Sequence, residues 1–518
     1  MSEEQKNRLQ AQLWAICNYL RGKMSGDEFR DYILGFIFYK FLSEQLYLIA
    51  EKTLEADGID YAKIDDSDPD MAALIEAVRE EAVDALGYHL APGQLFRNVV
   101  ARIEADADAF VLGDVQAVLN DIEKSSRGEE SEDDFVHLFE DMDLSSSKLG
   151  KTPDVRNTVV KEILRQLSKI DFRMDEVEAD VLGDSYEYLI SNFASSGGKK
   201  AGEFYTPQRV SEILSRIVSL GKTELKSVYD PTCGSGSLLL RVSRHVQKVG
   251  RYYGQEFNRT TFNLARMNMI LHKVHYKDFD IKQDDTLENP QHREQRFEAI
   301  VANPPFSLDW SANPLHLNDD RFSSFGRLAP KTKADMAFIQ HMLFQLADNG
   351  TAAVVVPHGV LFRGAAEGHI RQHIIREMNA LDAVIGLPQN LFFGTGIPTA
   401  ILVFKKCRKD SEHVLFIDAS RDFAKGKNQN TLRSADVRKI IDTLDTRSSI
   451  DKYSHLASLD EIRENDYNLN IPRYVDTFEE EDAIDLMAVQ AERAEIEQTI
   501  AGLNEQMAGY LREIGYVS

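Results

Sequence analysis

Asn303-Pro304-Pro305-Phe306 combines four residue types that suit group transfer to a conjugated amine. The lone pair of such a nitrogen is delocalised into its ring or carbonyl, so the nitrogen is a poor nucleophile. Two acceptors on its hydrogens, the side-chain oxygen of Asn303 and the carbonyl of Pro304, would draw it toward tetrahedral geometry and free that pair. The prolines stiffen the turn and hold the carbonyl outward. Phe306 offers a ring on which a base turned out of a duplex can stack. The scheme needs no charged base, and the motif contains none. A proline turn closing a strand is the plain alternative for these four residues taken alone.

Asp230-Pro231-Thr232-Cys233-Gly234-Ser235-Gly236-Ser237 forms a second candidate site, between an apolar run and a helical one. A glycine-rich turn from strand to helix lets a ligand approach the backbone at the carboxyl edge of a sheet. A Gly-x-Gly pair alone is as often structural. Leu239 stands where a dinucleotide fingerprint has its third glycine, and no Gly-Lys-Ser/Thr follows to grip a phosphate. Glu256 lies 20 residues beyond Gly236, at the end of the next expected strand. A carboxylate there accepts hydrogen bonds from both hydroxyls of a ribose. A loop without a phosphate grip but with a ribose acid suits S-adenosyl-L-methionine better than NAD. One strand later, Asp284-Asp285-Thr286-Leu287 is placed to reach the adenine amino group of such a donor, with Asp285 as the expected contact. A sulfonium methyl is already electrophilic, so alignment is the main demand on the protein. The residues leave the acceptor open between adenine N6, cytosine N4 and a glutamine amide. They also leave open a non-catalytic scaffold that keeps these side chains.

The elements that must position these groups change character along the chain. The first 170 or so residues read as helical. In DYILGFIFYKFLSEQL the apolar positions Ile33, Leu34, Ile37, Phe38, Phe41 and Leu42 recur at helical spacing. Ser25 is the candidate cap, with Glu28 three residues on. The polar run Ser125 to Asp134 is expected to be a surface loop. From about Gly202, short β-rich runs alternate with helical ones: KSVYD, SLLLRVSRHVQK, YYGQEF, NLARMNMILH, FEAIVA, TAAVVVPHGV, LDAVIGLP and AILVFKK. That alternation predicts an α/β fold, a Rossmann-like sheet buried on both faces. The expected divisions are residues 1–170, 171–475 and 476–518. In the last of these, Ile496, Ile500, Leu503, Met507 and Tyr510 form one apolar seam. The seam fits either packing on its own domain or docking on another protein.

Bulk properties bound the function. At 518 residues, two or three domains are expected. No uninterrupted apolar run approaches the roughly 20 residues that span a bilayer, so no membrane association is expected. The start, MSEEQKNRLQ, lacks the pattern of a secretory signal. Cys17, Cys233 and Cys407 are far apart, without ligand spacing, which predicts neither a disulfide framework nor a bound metal. Together these features point to the cytoplasm. The net charge of −24 is unusual for a protein that grips nucleic acid alone. Between Ala101 and Asp143 there are 14 acidic residues against three basic ones. This is either an ordinary solvated surface or a sign that a partner supplies the grip.

These segments together resemble the modification (methyltransferase) subunit of type I restriction–modification systems. The resemblance runs nearly end to end. It is carried by DYILGFIFYKFLSE, LGDSYEYLISNFASSGGKKAGEFYTP, DPTCGSGSLL, NPPF, Ala334-Asp335-Met336-Ala337-Phe338 and GTGIPTAILVFKK, in the family's order. It implies an S-adenosylmethionine-dependent methyltransferase sheet, an all-α N-terminal domain and a C-terminal helical tail. Glu203, Phe204, Tyr205, Thr206, Pro207 and Gln208 would line the methionine side of the donor; read alone they are an aromatic turn before a helix. The acceptor would be N6 of adenine in double-stranded DNA. A separate specificity subunit would read the sequence, with two modification subunits to one, and a restriction subunit could join. The leader and the tail would bind the specificity subunit and clamp the DNA. Asp284 departs from the glycine such families often carry, which leaves the adenine-contacting acid undecided between Asp284 and Asp285.

Overall fold

The computed structural model describes residues 3–21, 26–106, 108–172, 181–196, 206–392, 395–426, 429–477 and 486–516. Its contacts divide into two units, Met1–Val475 and Asp476–Ser518. Ser25 lies outside the described residues; the helix it was expected to cap spans Gly26–Thr53.

A nine-stranded sheet runs through the first unit in the order β3-β2-β1-β4-β5-β7-β6-β8-β9. The strands are β1 (Glu224–Asp230), β2 (Lys248–Glu256), β3 (Phe279–Gln283), β4 (Phe297–Ala302), β5 (Leu346–Pro357), β6 (Leu381–Gly386), β7 (Thr399–Lys405), β8 (His413–Asp418) and β9 (Ser454–Ser458). β1 pairs in parallel with both β2 and β4, β2 with β3, and β4 with β5. β7 runs antiparallel between β5 and β6, and β9 lies antiparallel on the edge beside β8. Residues of β4, β6 and β7 are buried almost without interruption, because helices cover both faces. β8 and β9 extend the sheet beyond the strands that the sequence pattern indicates. SHLAS has few β-favouring residues and pairs on one side only, which is why its pattern is weak.

The helix after the glycine loop is shorter than expected, Ser237–Val242 with a 3-10 turn to His245, and Lys248 already opens β2. Gly250 permits this pairing. A Cβ there would come within 2.6 Å of the Lys226 carbonyl oxygen on β1.

The helix Arg259–Leu271 is buried on two faces. Phe262, Ala265 and Met269 join the core of the sheet, while Leu264, Met267 and Leu271 join the core of the N-terminal helices. The helix is buried nearly all round as a consequence, its polar Asn263, Arg266 and Asn268 included. The N-terminal core is built on Gly26–Thr53, whose Ile33, Leu34, Ile37, Phe38, Phe41 and Leu42 are all buried. The stretch Phe29–Thr53 has the length and hydropathy of a membrane span, but 72% of that window is packed inside the unit.

Ser125 to Asp134 is largely the surface turn its polarity predicts, with Arg127, Gly128, Glu129, Glu130, Glu132 and Asp133 exposed, but three of its polar residues turn inward. Ser126, Ser131 and Asp134 are buried, because each polar side chain finds an internal partner or a buried cation. Ser131 Oγ donates to the Gly87 carbonyl at 2.6 Å. The cation is Arg266, fully buried, whose Nη1 donates to the carbonyls of Asp133 and Val136 at 2.9 and 3.0 Å. Glu140 and Asp141 grip the same helix at its start, through Arg259 at 2.5 Å and Thr260 at 2.7 Å.

The second unit contains the helix Leu486–Glu513, on which Ile496, Ile500, Leu503, Met507 and Tyr510 are exposed.

Removing Arg266 would strand two carbonyls and the Asp134 carboxyl in a dry interior. Arg266→Ala is expected to lower unfolding stability by about 3–5 kcal/mol, read from the urea midpoint. Arg266→Met, which refills the volume, should recover part of that loss; equal losses would show that packing plays no role.

Candidate active site

Because β1, β2, β3 and β4 are parallel, their carboxyl ends share one edge. The loops carrying Asp230 to Ser237, Glu256, Asp285 and Asn303 to Phe306 all leave from it. Gly234 and Gly236 have φ of 54° and 75°, conformations that side chains resist. At Gly236 a Cβ would also press on Met269 Cε at 3.2 Å. Gly234 N–H donates to Glu256 Oε2 at 3.0 Å, and Asn258 N–H donates to Glu256 Oε1 at 2.8 Å. Glu256 therefore clasps the glycine loop to the start of the next helix. Asn268 secures the far side of the loop by donating to the Ser235 carbonyl at 2.9 Å, and the Ser235 and Ser237 hydroxyls lie 3.0 Å apart.

The two candidate acids of the next loop differ. Asp284 is engaged through both oxygens, taking Asp285 N–H at 2.8 Å on Oδ1 and Asn289 Nδ2 at 2.5 Å on Oδ2. Asp285 uses Oδ1 alone to accept the N–H groups of Leu287 and Glu288, at 2.9 and 3.2 Å. Phe257, beside Glu256, is 71% exposed. No motif marks Phe257 in the sequence; its signal there is a large apolar side chain directly after the candidate acid Glu256.

Asn303 follows the buried end of β4. Its Oδ1 is shut off from solvent and has no hydrogen-bond partner among the described residues. A buried acceptor without a donor costs about 1–3 kcal/mol. Ser307 ends the turn with φ 53°, strained for a non-glycine residue. Its N–H donates to Asp335 Oδ1 at 3.1 Å, and Arg363 holds the other oxygen of Asp335 at 3.3 Å. This is the structural task of the segment Ala334 to Phe338. The Phe306 ring meets Phe392 edge to face, centroids 5.7 Å apart. Phe392 was also missed; it lies just ahead of the GTGIPTAILVFKK segment, and only the fold brings it to β4.

Glu203, Phe204 and Tyr205 lie outside the described residues. Thr206 and Pro207 lead into the helix Gln208–Ser219, which packs beside Ser237–Val242. Pro207 and Gln208 line a cavity of about 310 Å³ that is closed on another side by Leu391, the neighbour of Phe392.

The donor set fits an adenosyl group. It offers carboxylates at the ends of adjacent strands and a glycine loop open to close approach, with no cation in Asp230 to Ser237 for a phosphate. Among the described residues, no group of His, Cys, Asp and Glu is gathered that could hold a metal.

Sheet and site together define a class I S-adenosylmethionine-dependent methyltransferase. The N-6 DNA methylase family profile matches residues 177–483, and the HsdM N-terminal domain profile matches residues 9–167. The type I restriction enzyme MpnII methylase subunit of Mycoplasma pneumoniae is 37% identical over 99% of this chain and 97% of its own length. The HindI methylase subunit of Haemophilus influenzae is 36% identical over 58% of this chain and 70% of its own. The crystal structure of a type I restriction–modification system methyltransferase subunit from Streptococcus thermophilus superposes with a TM-score of 0.82. It is 42% identical, over 91% of this chain and all of that one. The chain belongs to the N-6 DNA methylase family, as a type I restriction–modification methylase subunit: an adenine-specific DNA methyltransferase that uses S-adenosylmethionine. That settles the acceptor, which the residues alone left open.

Burial pushes the Asp230 carboxyl up to about 8, against the Thr232 N–H that stabilises its anion and with the help of nearby Glu256. A raised acid stabilises the fold fully below its unfolded value near 4 and loses that contribution as pH rises through 8. The unfolding temperature of the ligand-free protein should therefore fall between about pH 5 and pH 9. Asp230→Asn should flatten that profile; an unchanged slope would refute the assignment.

Proposed function

We propose that Asn303 Oδ1 and the Pro304 carbonyl accept the two hydrogens of the target adenine N6, while Phe306 stacks on the extruded base. The buried, unpartnered Asn303 oxygen at the carboxyl end of β4 carries this reading. An amine donor entering there would relieve its cost, and the nitrogen's lone pair would turn toward the donor side of the same edge. Pro305 stiffens the turn. Gly234, Ser235, Gly236 and Ser237 form the backbone bed for the donor, with Asp230 bracing it through Thr232. Glu256 takes the ribose hydroxyls, Asp285 takes the adenine amino group, and Phe257 lies against the adenine ring. Glu203, Phe204, Tyr205, Thr206, Pro207 and Gln208 line the methionine side. S-adenosylmethionine, when bound, supplies a methyl group already activated on sulfur; the side chains only align and polarise the acceptor.

Residues 171–475 form the methyltransferase domain in this reading, with residues 1–170 and 476–518 as the partner and DNA clamp. The partners are a specificity subunit, shared by two copies of this chain, a restriction subunit and double-stranded DNA, all in the cytoplasm. The net charge of −24 and the exposed seam from Ile496 to Tyr510 support a grip on DNA shared with a partner.

With the assembled complex, Asn303→Ala and Phe306→Ala should each lower formation of N6-methyladenine by about 100-fold while donor affinity holds. Gly236→Asp and Glu256→Ala should weaken equilibrium donor binding by about tenfold or more. Parallel losses in both assays for both pairs would sink the assigned roles.

Deleting residues 480–518 should abolish co-purification with the specificity subunit and leave donor binding intact. Retained co-purification would remove the tail from the interface.

A further inference from the structure

The segment between the target motif and the helix Asp335–Gln345 folds back on the loop that carries Asp285, and a single buried cation joins the two. Arg321 is 1% exposed. Its Nη1 donates to the Thr286 carbonyl at 2.9 Å and its Nη2 to the Leu287 carbonyl at 2.8 Å. Asp319 braces the guanidinium from its own loop, through Nε and Nη2 at 2.9–3.2 Å. Nη1 also lies 3.2 Å from His341 Nδ1, and His341 Nε2 lies 3.1 Å from the Tyr229 hydroxyl on β1. Burial, then the charge of Arg321, keeps His341 neutral, so one ring nitrogen accepts while the other donates. The two carbonyls that Arg321 holds belong to the turn whose N–H groups, from Leu287 and Glu288, are held by Asp285 Oδ1. Thr286 Oγ1 donates to the Pro231 carbonyl at 2.6 Å and joins the turn to the glycine loop. Other links between these segments, His316 to Glu288 at 3.3 Å and Arg293 to Asp319 and Asp320 at 3.4 and 4.0 Å, are not enclosed in this way.

We propose that Arg321 is a positioning residue for the methyl donor: from the loop that follows Asn303 to Phe306, it holds the turn Asp285 to Glu288 in the shape that presents the Asp285 carboxylate. The inference rests on Asp285 contacting the adenine of the donor. The fork of the guanidinium spans two successive carbonyls, which the single ammonium of lysine cannot copy. Arg321 touches neither substrate, so its effect is on how tightly the donor is held. Once the donor is bound, the acceptor groups at Asn303 and Pro304 are unaltered.

The test compares Arg321→Lys, Arg321→Ala and Asp285→Ala with the wild-type chain in the assembled complex. S-adenosylmethionine affinity is read by equilibrium titration, KM and kcat by methyl transfer, and folding by thermal unfolding. Arg321→Lys keeps the buried charge and is expected to remain folded, with an unfolding temperature lowered by several degrees. Its dissociation constant and KM for the donor should rise by about tenfold, while kcat at saturating donor stays within about threefold. Arg321→Ala should weaken the donor further. If Asp285→Ala weakens the donor and folded Arg321→Lys does not, the positioning role is overturned and the reading of Asp285 stands. If Asp285→Ala leaves donor affinity unchanged, that reading falls and the proposal with it. A fall in kcat with donor affinity unchanged would also overturn the proposal, because it would put Arg321 on the acceptor side.

Discussion

Parallel pairing of β1 with β2 on one side and β4 on the other is the constraint on which the rest of the molecule depends. A parallel sheet must send each connection back across a face, so helices cover both faces and the inner strands β4, β6 and β7 become almost wholly apolar. The same geometry delivers every outgoing loop to one edge. The residues proposed for donor and for acceptor arise far apart in the chain, on β1 to β3 and on β4, yet they share one edge because these strands point the same way. The antiparallel β7 between β5 and β6 continues the sheet and brings the segment before it, with Phe392, toward the Phe306 ring.

That edge is held by buried polar contacts rather than by apolar packing. Glu256 clasps the glycine loop, Asp335 fixes the turn after Asn303, and Arg321 joins that turn's loop to Asp285. Each contact satisfies backbone groups that a loop would otherwise leave to water. A site that must align an electrophile with a weak nucleophile needs this stiffness, since alignment is what the protein supplies. Asn303 Oδ1, at the end of β4, is one of several buried polar atoms without a hydrogen-bond partner among the described residues, Asn268 Oδ1 beside the glycine loop being another.

The helix Arg259–Leu271 belongs to two cores and joins the N-terminal helices to the sheet, with ion pairs from Arg241, Lys277 and Lys282 beside it. Arg266 lies within that joint and Glu140 with Asp141 at its rim, so part of the acidic stretch from Ala101 to Asp143 is internal structure. The remaining acidity stays on the surface and accords with a DNA grip shared with another subunit.

Much of the site was legible before folding. Gly234, Gly236, Glu256 and the Asn303 to Phe306 turn were readable because their chemistry lies in residue type and local spacing. A left-handed backbone requires glycine, and an acid after a strand is visible whatever surrounds it. β4 to β7 were equally plain, since strands buried on both faces are runs of apolar residues, and β1 and β2 were readable as short β-rich runs ahead of their turns. Phe392 and Arg321 were not legible, because their roles depend on neighbours distant in the chain. β9 and the burial of Ser126, Ser131 and Asp134 within a surface turn were hidden for a related reason: a polar residue can be buried wherever the fold supplies a partner, and the sequence does not show the partner. The chain by itself thus determined which chemical groups were present and the order in which strands and helices deliver them. Tertiary structure alone decided which of those groups share a dry, hydrogen-bonded edge, because burial and long-range pairing are properties of the packed molecule and not of any segment in it.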